Sequence, residues 1–429
     1  MGTQSKLKKN MLRLILISIA GTMIYGLPYF RSYYYDAYLQ TYGLTNSQMG
    51  MFGSIFGIMG ACSYLFGGVV ADMFSARKLM TISMILTGLG GLLHLLHPNY
   101  LMLVFIYLLW GFTSLFAFWP ALLKVLRSLA NEDEQSKAYG FMDATRGVTN
   151  AVQLAVTLAI FNALSKKASD LAGLNGVVIF YSAICIVMGI GLYFVLDERK
   201  FETEKKDDVK AEEEESKFSF AIVKQVLKMP VVWMLSLVVC CSYTMNILFY
   251  YFTPYATANL GMTAAAGAMV TMLAQYVRPV ACVVGGVAAD RIGRANVMYG
   301  TLGIMLASTL VLIFAGSMTN TVFIGICVCI YFGMYAAYSL AFSMFDECGI
   351  PKHMSGTAIG LICTIGYMPE FFCPLLAGKV LDSYGNAGYH ILFVFLAAMM
   401  VIGLVILTVY KRYIKKMHAK KAATAEATA

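Results

Sequence analysis

The chain has 429 residues, of which 59% are hydrophobic and 13% charged, with a formal net charge of +9 and a mean hydropathy of +0.70. A soluble domain needs more charge than this to cover its surface. That class is excluded, and with it the soluble platform that a nucleic-acid-binding reading of the positive surplus would need.

Apolar runs recur from end to end, at about 11–31, 47–70, 79–98, 100–126, 138–164, 173–196, 231–258, 264–289, 296–316, 320–345, 356–380 and 388–411. A helix rising about 1.5 Å per residue needs roughly 20 residues to cross a hydrocarbon core of about 30 Å. Closed barrels are the other spanning solution, but their strands alternate polar and apolar residues, and these runs are apolar all round. The expected fold is an all-α membrane protein of twelve transmembrane helices. Lys6, Lys8, Lys9 and Arg13 lead into the first run. No Ala-x-Ala cleavage site closes that run, so it reads as a retained span rather than a signal peptide. The ten cysteines lie almost wholly inside the runs without metal-ligand spacing. They read as packing thiols, and neither a metal nor a cofactor is expected.

Basic residues set the orientation. The N-terminal tail, Arg77–Lys78, Lys124, Arg127, Lys137, Arg291, Arg294, Lys352 and the tail from Lys411 to Lys421 share one side, leaving Arg31, Lys166, Lys167 and Lys379 for the other. Both termini are therefore expected in the cytoplasm. The segment from Asp197 to Lys228 is dense in mixed charge and poor in aromatics, so it cannot bury enough apolar surface to fold alone. It divides the chain into a six-helix bundle at 1–196, a charged cytoplasmic linker at 197–229, a second bundle at 230–412 and a tail at 413–429. Its later part, 218–228, reads as a short amphipathic helix on the membrane surface.

The two halves repeat. At a fixed offset of 218 positions, Gly43-Leu44-Thr45 falls on Gly261-Met262-Thr263, Gly67-Gly68 on Gly285-Gly286, Asp72 on Asp290, and Tyr33-Tyr34 on Tyr251-Phe252. Both copies start on the same side after six spans, a parallel repeat of the kind found in transporters whose halves rock about a central site.

After spans 2 and 8 the chain reads Gly68-Val-Val-Ala-Asp72-Met-Phe-Ser-Ala-Arg77-Lys78 and Gly286-Val-Ala-Ala-Asp290-Arg291-Ile-Gly293-Arg294. These resemble the loop signature of the major facilitator superfamily. The second copy matches closely; the first has Met73 and Ser75 where arginine and glycine are usual. Glycine allows close helix approach, and an aspartate at a helix end can pair with basic groups. The resemblance implies a cytoplasmic gate at Gly68, Asp72, Arg77, Gly286, Asp290, Arg291, Gly293 and Arg294. Within the superfamily, the run from Glu134 to Gly147 is similar to a sparsely characterised bacterial branch near the organophosphate and sugar-acid carriers. The Gly-Pro-x-x-Gly-Gly signature of many drug exporters is missing from span 5, which argues against multidrug export.

Ionisable residues at membrane depth are expensive and therefore candidates for function. Asp143 and Arg146 share one face of span 5, with Arg146 about 12 Å from the cytoplasmic end; Arg278 lies roughly 16 Å in, and Glu370 roughly 20 Å, near the midplane. The resemblance implies that the spans carrying them border a central cavity. In the functional reading Arg278 and Arg146 meet an anionic substrate through guanidinium forks. Glu370, with Asp143, then exchanges the coupling proton. The alternative reading has fixed ion pairs, Asp143–Arg146 and Arg278–Glu370. Asn246 and Tyr250, about one turn apart in span 7, are candidate hydrogen-bonding partners for substrate. Tyr33, Tyr34 and Tyr35 read as an interfacial belt, and His94 and His97 as interfacial residues.

The expected activity is secondary transport of a small polar solute, an organic anion such as a sugar acid, sugar phosphate or carboxylate, by alternating access with proton coupling or exchange. The chain would sit in the bacterial plasma membrane as a multi-pass monomer, with substrate, H⁺ or a counter-transported anion, and lipid as its partners, and no nucleic acid. No Gly-x-x-x-x-Gly-Lys-Ser/Thr loop supplies ATP energy, and no cluster of nucleophiles or metal ligands suggests an enzyme. A neutral-sugar or drug-type carrier, or a non-transporting membrane sensor, are the competing readings.

Overall fold

The computed structural model describes residues 6–63, 73–131, 134–196, 220–315 and 318–428. In chain order the helices are α1 (Met11–Met23), α2 (Gly26–Tyr33), α3 (Tyr35–Tyr42), α4 (Asn46–Cys62), α5 (Ala76–His94), α6 (Tyr100–Gly111), α7 (Trp119–Ser128), α8 (Gln135–Lys167) and α9 (Asp170–Val195). They continue as α10 (Phe220–Leu227), α11 (Pro230–Leu248), α12 (Phe252–Leu260), α13 (Ala264–Ile292), α14 (Arg294–Phe314), α15 (Asn320–Phe345), α16 (Lys352–Gly366), α17 (Pro369–Tyr384) and α18 (Gly388–Thr428).

Among the described residues nine helical stretches are long and apolar enough to cross a membrane, and ten when the bent pair α1–α2 counts as one span. One of the nine, Thr357–Met417, holds two spans, parted at the 3-10 turn Gly385–Ala387. With α4 opening the second span, the architecture is that of twelve transmembrane helices. The linker, apart from α10 and the residues that join it to α11, lies outside the described residues.

The spans are broken where the sequence withholds regular hydrogen bonding. Span 1 bends by 45° between α1 and α2 and, instead of ending near residue 31, continues through α3 to Tyr42. Span 7 is interrupted by a 3-10 turn at Phe249–Tyr251, and span 11 at Tyr367–Met368, just before Pro369, which has no N–H to offer the preceding turn. Span 4 carries a π-helical stretch, Phe112–Phe118, between α6 and α7. Its wide turn shifts the i→i−4 ladder, and Ser63 Oγ donates to the Leu115 carbonyl at 2.6 Å.

The repeat is visible in local geometry. Gly43 and Gly261 both end a helix in the left-handed region, at φ 58° and 65°, a conformation that favours glycine. Two residues on, Thr45 caps α4 by accepting from the Gln48 N–H, and Thr263 accepts from the Ala266 N–H.

By contacts the chain forms two compact units. Unit 1 comprises Met1–Ser216, Tyr250–Gln275 and Pro374–Lys379. Its core includes Leu14, Ile17, Met80, Met84, Phe118, Leu122 and Leu126, all fully buried where α1, α5 and the π–α7 span meet. Unit 2 comprises Lys217–Phe249, Tyr276–Cys373 and Val380–Ala429. Here α14 packs on α15 and α18, and α11 on α16 and α18, enclosing Val238, Met245, Met298, Leu302, Met334 and Met400.

Candidate functional site

Each unit presents an arginine laid over aromatic rings. In unit 1 the guanidinium of Arg146 lies 4.8 Å from the centre of the Trp119 ring. Trp119 opens α7 directly after the π-helical stretch. Its ring meets the edge of Tyr25 at 6.4 Å, and Tyr25, at the bend of span 1, also touches Phe56 and Tyr29. Arg146 and Asp143 approach at 3.4 Å, one turn apart, with side-chain exposures of 21% and 63%. The pair expected from the sequence is present, but its acid is largely open. The Thr22 hydroxyl lies 3.2 Å from the Ser18 carbonyl and 3.5 Å from that of Arg146.

In unit 2 the guanidinium of Arg278 stands 5.4 Å from the Tyr335 ring centre and 5.9 Å from that of Tyr338. Pro279 follows it inside α13 and removes one backbone hydrogen bond at that level. The Tyr338 ring lies 6.4 Å from Tyr367 at an interplanar angle of 24°; Tyr367 lies 4.5 Å from Tyr243. The Tyr243 hydroxyl donates to Glu370 Oε2 at 3.2 Å. Glu370 sits in the first turn of α17, the broken half of span 11, where the positive end of the helix dipole meets a carboxylate. The break is held against α11 at Gly366: a Cβ there would come within 2.6 Å of Val239 Cγ1. Arg278 and Glu370 are thus linked by a row of tyrosines, three residues that the sequence reading passed over.

Asn246 is half-buried on α11, three residues from Tyr243 and on the same face. Its side chain makes no hydrogen bond among the described residues. Tyr250 belongs to the 3-10 turn and to unit 1, stacked on Tyr29 at 5.9 Å and edge-on to Tyr33 at 5.8 Å. The turn of span 7 therefore separates the two candidates that share a helix face in the sequence.

Several placements correct the sequence reading. Tyr33, Tyr34 and Tyr35 are buried rather than belted at the interface. Tyr34 stacks on Phe161 at 4.5 Å, and Tyr35 donates to Asn46 Oδ1 at 2.8 Å. His94 is likewise buried, with its ring nitrogens at 2.8 and 3.0 Å from the hydroxyls of Tyr38 and Tyr42. Arg31, assigned from the sequence to the external side at the end of span 1, is 8% exposed. It donates to the Met49 carbonyl at 3.2 Å and lies 5.2 Å from the Tyr107 ring centre. Its aromatic flanks, Tyr29-Phe30 and Ser32-Tyr33-Tyr34, were the available signal. A polar ladder also went unread: Gln153 donates to Asn150, which donates to Gln275, at 2.6 and 2.9 Å.

At the cytoplasmic motif, Gly293 turns the chain between α13 and α14 at φ 89°, a backbone conformation that favours glycine. Arg294 donates to the Ser343 carbonyl at 2.5 Å and lies 3.9 Å from Glu347. Asp290 and Arg291 are exposed and form no ion pair among the described residues. The close helix approach is at Gly285, where a Cβ would lie 2.9 Å from that of Ala336, and not at Gly286, which has no neighbour within 4 Å. Arg77 lies 3.9 Å over the Tyr193 ring. Gly68 and Asp72 lie outside the described residues.

The family model described as Major Facilitator Superfamily matches residues 14–372. The chain belongs to the major facilitator superfamily. It is 28% identical over 405 residues to the inner membrane protein YihN of Escherichia coli (strain K12), covering 93% of this chain and 94% of that one. Over 163 residues it is 26% identical to the probable hexose phosphate transport protein of Chlamydia muridarum (strain MoPn / Nigg), a match to 38% of this chain and 32% of that protein. Among solved structures it is similar to a bacterial homologue of the human lysosomal transporter Spinster. The TM-score is 0.75 at 13% identity, with 97% of this chain and 99% of that one covered. This member of the superfamily is accordingly a multi-pass cell-membrane protein and a transporter of small solutes.

Proposed function

We propose that this superfamily member carries a small organic anion, a sugar acid, sugar phosphate or carboxylate, by alternating access. The observation that carries the reading is Arg278, a cation on an interior span, held against Tyr335 and Tyr338 at one end of a tyrosine row that ends on Glu370. A charge at membrane depth persists where it has work or a partner, and a guanidinium can bind a carboxylate or phosphate through two parallel hydrogen bonds. Arg146 over Trp119 is the second guanidinium of this set, and Asn246 and Tyr250 offer hydrogen bonds. Glu370 is the proton-coupling group and Asp143 its weaker counterpart; proton symport and anion exchange both fit this set. The two six-helix halves, 1–196 and 230–412, move as bundles joined by the 197–229 linker, with the 413–429 tail in the cytoplasm. The motif residues Gly68, Asp72, Arg77, Gly286, Asp290, Arg291, Gly293 and Arg294 form the cytoplasmic gate of a monomer. The partial similarity to a probable hexose phosphate transport protein supports the anion class.

The test is uptake into proteoliposomes of labelled glucose 6-phosphate, glucuronate, succinate and glucose, with and without an inward proton gradient and with anion preloaded inside. Accumulation or exchange of at least one anion, lost in Arg278→Ala, is expected. Transport of glucose alone, or no movement of any of the four under either driving force, overturns the anion reading.

A further inference from the structure

The tyrosine row of unit 2 is half-buried, as are Trp119, Tyr25 and Tyr29 around Arg146 in unit 1, and both sets differ from the enclosed aromatics of the core. Trp110, Tyr34, Tyr38 and Tyr107 of unit 1 are fully enclosed and make core. Tyr243, Tyr338 and Tyr367 are half-buried. Such rings face either lipid or a polar interior space. Lipid is ruled out by their neighbours, since the row is bounded by the Arg278 guanidinium and the Glu370 carboxylate, which do not face hydrocarbon. The rings of Tyr338 and Tyr367 are nearly parallel, and together with Tyr243 they form a floor between a cation and an acid. Two polar groups at this floor have no side-chain hydrogen bond among the described residues: the hydroxyl of Tyr338 and the amide of Asn246.

We infer that Tyr338 and Tyr367 are specificity-determining residues that read a saturated, hydroxylated ring, with Tyr338 as the principal platform and the anionic substituent of that ring on Arg278. The inference rests on the anion-transport reading and goes beyond it by dividing anions into ring-borne and open-chain. A pyranose has one face of axial C–H groups, which suits the electron-rich face of a tyrosine, and an edge of hydroxyls that need partners when desolvated. The Tyr338 hydroxyl and Asn246 supply such partners. A plain aromatic acid would satisfy the rings and leave those two groups unsatisfied on binding, and an open-chain polyol acid would satisfy the polar groups but leave the rings uncovered.

The experiment uses pairs in which each ring-bearing anion is set against its open-chain product of reduction at C1: glucuronate against gulonate, and glucose 6-phosphate against sorbitol 6-phosphate. Dissociation constants are measured by calorimetry on the purified full chain, with uptake competition as a second readout. The wild type is expected to prefer the ring-bearing member of at least one pair by about tenfold, or about 1.4 kcal/mol. Tyr338→Ala should collapse that ratio by weakening the ring-bearing member far more than its open-chain partner. Tyr338→Phe should keep most of the ratio, and Tyr367→Ala should fall between the two. Equal affinities within both pairs for the wild type, or a Tyr338→Ala loss shared equally by ring and open chain, overturn the inference while leaving anion transport standing. Absence of binding for all four anions overturns the transport reading itself. Tyr338→Phe guards against a folding failure, because it keeps the platform and removes one hydroxyl.

Discussion

The two units answer the same problem, how to keep an arginine at membrane depth, with different materials. Unit 1 gives Arg146 one indole and an acid on its own helix, three residues back and 63% exposed. Unit 2 gives Arg278 two phenol rings and sends the acid to another helix, reached through Tyr338, Tyr367 and Tyr243. A neighbouring pair on one exposed helix face contributes roughly 0.2–0.5 kcal/mol and is easily exchanged for water. An acid tied through a second helix constrains the geometry of both. The two arginines are not repeat copies, since at the 218 offset Arg146 falls on Thr364 and Arg278 on Gly60; each half beds its cation on aromatic rings from a different span and places its acid differently.

The largest effect should separate the two arginines. Arg278→Ala is expected to lower transport at least a hundredfold and Arg146→Ala about tenfold, roughly 2.7 against 1.4 kcal/mol of transition-state stabilisation. Initial rates in proteoliposomes, normalised to reconstituted protein, measure both. Equal losses would erase the asymmetry. The acids sharpen it further. Glu370→Gln should abolish accumulation driven by a proton gradient while retaining exchange of anion for anion, whereas Asp143→Asn should leave gradient-driven accumulation within a factor of two. A Glu370→Gln protein that still concentrates substrate on a proton gradient would remove that residue from coupling.

Much of this was legible in the sequence, and the reason is physical. Hydropathy reports burial in lipid directly, so the twelve spans and the membrane class follow from the runs alone. The ungapped offset also aligned Gly43 with Gly261, and both prove to end a helix in the left-handed region. Arg146, Arg278 and Glu370 announced themselves because charge inside a span is costly. Their surroundings did not. Tyrosine in a span is ambiguous between belt, core and site, and only the third dimension separates the enclosed Tyr34 from the half-open Tyr338. The burial of Arg31 was not legible because the span was ended at it, although α2 and α3 carry the helix on past it. Asn246 and Tyr250 were joined by helical spacing that a three-residue 3-10 turn breaks.

Packing at the two sites offers a smaller contrast. Gly366 beside the tyrosine row leaves no room for a Cβ, whereas Gly147 beside Arg146 has nothing within 4 Å. Gly366→Ala should therefore lower the melting temperature in detergent and reduce transport together, through displacement of Tyr367. Gly147→Ala should be neutral or raise the melting temperature by a degree or two, because alanine is about 1 kcal/mol better than glycine in a helix. A tolerated Gly366→Ala would mean that the break in span 11 is softer than its fit against Val239 suggests.

The smallest expected effect lies where the repeat copies diverge on the external side. Asp36, in α3, corresponds at the 218 offset to Pro254, so the second copy has no acid there. The Asp36 carboxylate accepts from the Thr257 hydroxyl at 2.5 Å. The Asp36 side chain is half-buried, and burial disfavours a charge that is not fully paired. A carboxyl in such a place suits the folded state better neutral than ionised. Asp36→Asn keeps an acceptor for Thr257 and carries no charge. Its melting temperature should exceed that of the wild type at pH 7–8, and the gap should narrow as pH falls toward 4. Melting curves of both proteins across that range decide the matter. A gap that is constant with pH would show that the Asp36 carboxylate is not held at a cost, and that the first copy's external acid is as well solvated as an ordinary surface aspartate.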